Sequence, residues 1–480
     1  MNILLDYDRE ELYNMLDTFG EPKYRVDQLI NAMYSGKDYS DNINVPKSFL
    51  DKLQGLDYIL QPIKIRKAIT SKGKDKTIKF LYDLSDGNII EGVLMKYAFG
   101  NTLCVSSQVG CKMNCAFCAS GLNGFIRNLS AGEILGQIVA VNRYLGGTIK
   151  DREITNIVLM GSGEPLDNFD NLKKFLKAVT NDETFNMSVR NISVSTCGIP
   201  SKIEELADLG YAVTLCLSLH ASNDTARKEI MPIARRYSIR EVLDSLKYYH
   251  TMTNRRIIIE YTLIEDKNNT FKNAKELAEL LGDLPCHINL IKLNEVDGRT
   301  LTSPTQDSCK KFLGYLNRLG LSATMRRSLG DDIEGACGQL RNKELQGDKV
   351  VIKESAYRKE SKPAPNKNTA SKVKDVSKLN ALREKERQSK KPVKKDSRKS
   401  VKGYAKKDGM GFANQDSKSL DKKTLRSLEN RGLKKFGSQS SKNYDSKESR
   451  GFNGKTQKNF DSKSKIANKS NKSSDRKYGR

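Results

Sequence analysis

Three cysteines, Cys111, Cys115 and Cys118, stand in the spacing C-x3-C-x2-C. Thiolates this close can hold three irons of a four-iron, four-sulfur cube. No fourth cysteine lies nearby in sequence, so one iron is left open to an exogenous chelator. The amino and carboxylate groups of S-adenosylmethionine (SAM) suit that role, and an electron from the cube would break a carbon–sulfur bond of the chelated molecule. Zinc is the alternative occupant. It needs a fourth ligand, and none of the chain's three histidines is close in sequence to the triplet.

The elements that must position the triplet can be read from periodicity. The triplet follows a strand-like run, Thr102–Ser106, and further runs occupy Ile154–Met160, Asn191–Ser195, Ala212–Leu219, Arg256–Leu263, His287–Leu293 and Ser322–Arg326. Amphipathic stretches such as Ala131–Tyr144, Asn171–Val179 and Ile239–His250 lie between them. This alternation predicts an α/β fold, a parallel sheet forming a full or partial (β/α) barrel over residues 97–345. Gly161–Glu164, Ser195, Ser218–His220 and Asn294 then fall at or just beyond the carboxyl ends of predicted strands, the rim where such barrels bind ligands. Gly161 and Gly163 would let a ligand amine approach the backbone closely.

Residues 1–60 have helical periodicity, with Leu12, Met15 and Leu16, then Val26, Leu29, Ile30 and Met33, and a break at Gly20-Glu21-Pro22. They read as a small helical accessory domain. Residues 61–96 read as a β-hairpin extension with strands at Thr77–Leu84 and Asn88–Lys96. Residues 357–480 are rich in Lys, Ser and Asn, repeat Asp-Ser-Lys/Arg from positions 396, 416, 445 and 461, and read as a disordered tail.

The net charge of +26 is concentrated in that tail. Residues 351–480 hold 39 Lys and Arg against 14 Asp and Glu, whereas residues 1–350 hold 45 against 44. The body is therefore close to neutral. The start of the chain, Met1–Leu16, lacks the basic-then-apolar pattern of a secretory signal, and no apolar run is long enough for a bilayer. A cytoplasmic location with no membrane partner is expected, and nine cysteines there point to metal or redox chemistry rather than structural disulfides.

Several motifs together resemble the RlmN family of radical SAM RNA methyltransferases. They are Cys-Lys-Met-Asn-Cys-Ala-Phe-Cys-Ala-Ser-Gly (111–121), Gly-Phe-Ile-Arg-Asn-Leu (124–129), Met-Gly-Ser-Gly-Glu-Pro-Leu-Asp-Asn (160–168), Ser-Thr-Cys-Gly-Ile (195–199), Ser-Leu-His (218–220) and Gly-Ala-Cys-Gly-Gln-Leu (335–340). The similarity spans about residues 1–345 and leaves out the basic tail. Ser162 and Cys197 depart from the family pattern, at positions with no assigned chemistry.

The resemblance implies a [4Fe-4S] cluster on Cys111, Cys115 and Cys118, and SAM bound by Gly163, Glu164, Ser195, Ser218, Leu219, His220 and Asn294. It implies methylation of carbon 2 of an adenosine in 23S rRNA near the peptidyl-transferase centre, and of the tRNA adenosine just 3′ of the anticodon. That carbon is electron-poor and will not attack a sulfonium methyl, so the methyl is first parked on a thiol. By resemblance Cys337 becomes the S-methylated intermediate, Cys104 resolves the RNA adduct through a transient disulfide with Cys337, and Glu91 accepts the ring proton. Two SAM molecules are used per turnover, an electron donor such as flavodoxin or ferredoxin feeds the cluster, and the protein acts as a monomer. Cys197, Cys216, Cys286 and Cys309 keep a packing role.

A Cfr-type enzyme, which methylates carbon 8, shares the cysteines. Pro165 and the 124–129 run favour the carbon-2 enzymes. A non-catalytic, metal-containing RNA-binding protein would not need Cys104 or Cys337. A radical SAM enzyme for a small molecule would leave the basic tail idle.

Overall fold

The computed structural model describes residues 2–327, 329–333 and 339–345. The expected tail, and Cys337 with it, lie outside the described residues.

Ten strands form one sheet, and they follow one another across it in chain order. Seven are parallel: Gly100–Cys104, Ile154–Leu159, Ile192–Thr196, Thr214–Ser218, Ile257–Leu263, Cys286–Lys292 and Ala323–Met325. These are the seven strands read from the sequence, each within two residues at either end. Helices Ala131–Tyr144, Phe169–Thr180, Pro200–Asp208, Ile239–Thr253, Phe271–Leu281 and Gln306–Arg318 make the crossovers. Ser130 and Glu133 form a capping box at the first of these helices, worth about 1 kcal/mol and enough to fix its start.

The region before residue 97 differs from expectation in two respects. It carries three antiparallel strands, Ile63–Thr70, Ile78–Leu84 and Ile89–Tyr97, and these continue the main sheet through Gly100–Cys104. The N-terminal stretch carries a third helix, Lys47–Gly55, beyond Arg9–Thr18 and Arg25–Tyr34. One apolar cluster takes in Leu12 and Val26 from these helices, Phe80 from the antiparallel strands, and Ile157, Leu215 and Ile259 from the parallel ones. Among the described residues no helix is long and apolar enough to cross a membrane.

Alternation along the parallel strands separates two faces. Ile192 and Val194, Leu215 and Leu217, Ile257 and Ile259, and Ile288 and Leu290 are buried in that core. The residues of the opposite face, Ser193 and Ser195, Thr214, Cys216 and Ser218, Ile258 and Glu260, and Asn289, are mostly polar. A closed eight-stranded barrel fills its interior with branched apolar side chains. Here the sheet ends at Ala323–Met325 on one side and Ile63–Thr70 on the other. The barrel is partial, and its inner face borders a cavity instead of a packed centre.

Candidate active site

The cysteine triplet sits in a loop pinched at its base. Strands Gln108–Gly110 and Phe125–Asn128 pair antiparallel on either side of it. Gly110 has φ 76°, and a Cβ there would lie 1.9 Å from the Gly124 carbonyl oxygen, so only glycine closes this neck. The Cys111 amide donates to the same oxygen at 3.1 Å. Farther along, Arg299 Nη2 donates to Asn114 Oδ1 at 2.9 Å, and the Ala116 amide donates to the Ile230 carbonyl at 2.8 Å.

Cys111, Cys115 and Cys118 all line one cavity of about 360 Å³. Burial, with the other thiols nearby, pushes Cys111 up to about 12 and raises Cys115 further. Such thiols become thiolates only against positive charge, which iron supplies. Among the described residues no three His, Cys, Asp or Glu side chains converge on one point as a single zinc ion requires. A cube binds each thiolate through a different iron.

Arg227, which does not itself line the cavity, places a buried cation behind its wall. It is fully buried, Nε donates to the Leu219 carbonyl, and Nη2 donates to the carbonyls of Cys197 and Ser218. Nη1 has no hydrogen-bond partner. Desolvation lowers its pKa, and Cys197, Cys115 and Asp224 are the groups that act against this. A buried cation of this kind calls for a counter-charge, and a thiolate-bound cluster is negatively charged. The residues fit that group.

The expected rim residues converge on the same cavity. Gly163, Glu164, Ser195, Ser218, His220 and Asn294 line it. Ser195 Oγ and Ser218 Oγ are 3.5 Å apart. Glu164 ties two rim loops together: Oε1 accepts from the Leu166 amide at 3.1 Å and Oε2 from the Cys197 amide at 2.8 Å. Burial raises its pKa while these amides oppose the shift. Leu219 departs from the group, since its side chain is in the apolar core and it does not line the cavity. Its amide donates to the Glu260 carbonyl at 3.1 Å.

The two glycines, which line the cavity, also permit a close approach within the chain. A Cβ at Gly161 would meet Val105 O at 2.7 Å, and one at Gly163 would meet Gln108 Cβ at 2.7 Å. They let the rim loop touch the chain that leads into the cysteine loop.

His220 adopts φ 57°, rare for a non-glycine residue, and this turns the chain at the strand end. Its Nδ1 accepts from the Thr262 amide at 2.9 Å, which assigns the proton to Nε2. Burial, with a smaller contribution from Arg227, lowers its pKa to about 3, so the ring is neutral. The Phe117 ring, from the cysteine loop, meets it edge-on at 4.5 Å between centroids.

Cys104 lines the same cavity from a different wall, packed with Val93 and Met95 and with Val158, Met160 and Leu329 at its border. Glu91 shares a face of its strand with Val93 and Met95, yet it does not line the cavity. It is buried, 3.5 Å from Lys79 Nζ, and accepts from the Arg341 amide at 3.1 Å.

Several residues at the cavity went unread in the sequence. Glu260 is the only charge in Ile-Ile-Ile-Glu-Tyr-Thr-Leu, a signal that could have found it. Lys292, Arg326 and Arg327 also line the cavity. Cys197, given a packing role, is buried in the cavity wall, with Cys115 and Glu164 raising its pKa beyond the effect of burial. Cys216 and Cys309 are buried, consistent with packing.

The sequence matches the Radical SAM superfamily over residues 105–281. It is 46% identical over 342 residues to a probable dual-specificity RNA methyltransferase RlmN of Clostridium botulinum, covering 71% of this chain and 96% of that protein. The chain belongs to the RlmN family. A second RlmN relative, from Clostridium acetobutylicum, is 44% identical over 347 residues, covering 72% of this chain and 99% of its own length. The crystal structure of a radical SAM methyltransferase from Sphaerobacter thermophilus superposes with a TM-score of 0.66 at 38% identity, covering 71% of this chain and 99% of that one. Membership of the RlmN family makes this chain a radical SAM RNA methyltransferase, and the cavity that joins its cysteine loop to its strand ends is the candidate active site.

Proposed function

We propose that the protein methylates carbon 2 of an adenosine in 23S rRNA and of the adenosine 3′ of the anticodon in tRNAs, through a methyl parked on Cys337. The observation that carries the thiol route is that Cys104 and the three-cysteine loop line one cavity although they belong to separate apolar walls, and the choice of carbon 2 rests on the RlmN relatives. A zinc-stabilised binding module would need its ligands to converge on one ion, and among the described residues no three His, Cys, Asp or Glu side chains do so.

A [4Fe-4S] cluster on Cys111, Cys115 and Cys118 supplies, when bound, the electron that cleaves SAM. Ser195, Ser218 and the Nε2–H of His220 offer hydrogen bonds to SAM, with Gly163, Glu164 and Asn294 around it and Leu219 holding the loop from behind. The Cys337 thiolate attacks the methyl carbon of one SAM and S-adenosylhomocysteine leaves. The deoxyadenosyl radical of a second SAM would then take a hydrogen atom from that methyl, and the methylene radical would add to carbon 2, with the bound cluster as acceptor of the odd electron. Glu91 accepts the proton that leaves the ring carbon. The Cys104 thiolate attacks the Cys337 sulfur and forms a disulfide, while the departing methylene carbon keeps the bonding pair and takes a proton, giving the methylated base. Lys292, Arg326 and Arg327 give the cavity a cationic side suited to the phosphates of an RNA whose target base has left its stack. The reading includes a monomer in the cytoplasm and a flavodoxin- or ferredoxin-type electron donor.

Mass analysis of nucleosides from rRNA and tRNA of a strain lacking the gene, with and without the gene restored, tests it. 2-Methyladenosine should disappear and return. A carbon-8 methyladenosine that follows the gene, or no change, would overturn it.

A further inference from the structure

We propose that Glu260 is a specificity-determining residue of the cavity, its carboxylate accepting a hydrogen bond from a hydroxyl or amino group of an adenosine bound there. The inference rests on the reading of the cavity as a site for SAM and a target adenosine.

Glu260 lies mid-strand in Ile257–Leu263, on the polar face, and lines the cavity. It is 4% exposed. Oε1 accepts from Asn289 Nδ2 at 3.1 Å, from the residue directly opposite on the neighbouring strand. Oε2 is buried with no hydrogen-bond partner. Arg326 Nη1 stands 4.0 Å from it, within Coulombic range and beyond a hydrogen bond. Buried carboxylate oxygens are normally satisfied, and this one, on a residue of the cavity wall with its twin pinned in place, lacks a donor. Burial also raises its pKa.

Its neighbours point to a nucleoside. Register sets Glu260 beside Ser218, whose Oγ is 3.5 Å from Ser195 Oγ, so Ser195, Ser218, Glu260 and Asn289 form a polar row across four adjacent strands. The Glu260 carbonyl accepts from the Leu219 amide, which locks the carboxylate in register with the rim loop. An adenosine offers ribose hydroxyls and an exocyclic amine to such a row. Both SAM and the target nucleotide contain one, and the experiment separates them.

Full-length, cluster-reconstituted protein is compared with Glu260→Met, Glu260→Asp and Glu260→Gln. SAM affinity is measured by equilibrium dialysis without RNA, the KM for an RNA transcript at saturating SAM, and thermal melting alongside. Met removes the acceptor and Asp withdraws it while keeping the charge that faces Arg326. Each should weaken one of the two constants about tenfold or more, and Gln, which keeps an acceptor and the shape, should restore most of it. A change in SAM affinity assigns the donor to SAM, and a change confined to the RNA KM assigns it to the target. If both constants stay at wild-type values in Met and Asp, with only the melting temperature lowered, Glu260 is merely the partner of Arg326 and the proposal is overturned. Wild-type protein that binds no SAM would overturn the underlying reading, whatever the variants do.

Discussion

The backbone amide of Arg341 donates to the carboxylate of Glu91 at 3.1 Å. Residues 339–345 are helical, and Arg341 Nε also reaches the Ile89 carbonyl at 2.7 Å. The chain that follows Cys337 is thus fastened to the strand that carries Glu91.

Glu91→Gln keeps an acceptor for the Arg341 amide and removes the proposed base. It should still accept the methyl at Cys337, while RNA methylation falls by roughly a hundredfold or more, the scale of a lost general base. Peptide mass analysis and a methylation assay read the two steps. Glu91→Ala also removes the carboxylate facing buried Lys79, and breaking that pair should cost roughly 3–5 kcal/mol in denaturant unfolding.

Arg227 holds the carbonyls of Cys197, Ser218 and Leu219 in one fork. Replacing it with Met should lower iron content after anaerobic reconstitution and make the remaining cluster harder to reduce, because a buried positive charge near the thiolates is gone. Arg227→Lys, which keeps the charge and loses the fork, should fall between. Iron analysis and a redox titration followed by electron paramagnetic resonance check this. An unchanged potential in Arg227→Met would show that the guanidinium serves packing alone.

His220 ties stability to pH. It titrates near 3 in the folded protein against about 6.5 in an unfolded chain. Between those values the unfolded state holds more protons, so the contribution of His220 is complete above about 6.5 and is lost as the pH falls toward 3. His220→Asn, whose side chain tolerates the left-handed backbone, should lose less stability between pH 7 and pH 5 than the wild type. Urea midpoints at the two pH values measure it.

The parallel strands were legible because their apolar alternation is intact, and the Ala131–Tyr144 helix because Ser130 and Glu133 mark its start. The Ile63–Thr70 strand was missed because both Lys and Arg interrupt its apolar period, and most of its residues are not buried. Lys47–Gly55 offers only Phe49, Leu50 and Leu53 as buried apolar residues, too few for a clear helical stripe. In the site, residues in local motifs at strand ends were readable. Glu260 and Arg227 were not, since their significance comes from strand register and from loops distant in sequence. The close approach at Gly161 and Gly163 was likewise hidden, because the chain they accommodate lies more than fifty residues earlier, at Val105–Gln108.

The most direct test of the account compares Cys337→Ala with Cys104→Ala after expression with RNA present. Cys337→Ala has no sulfur to carry the methyl and should never become linked to RNA. Cys104→Ala should take up the methyl at Cys337, join it to the base and stop there, because the resolving thiol of the cavity is missing. Both are inactive, but only one is covalently bound, a difference that lost packing cannot imitate. The measurement is a denaturing gel with nuclease digestion and mass analysis of the Cys337 peptide. The account predicts an RNA adduct in Cys104→Ala and none in Cys337→Ala. An adduct in Cys337→Ala, or none in a folded, cluster-loaded Cys104→Ala, would contradict it.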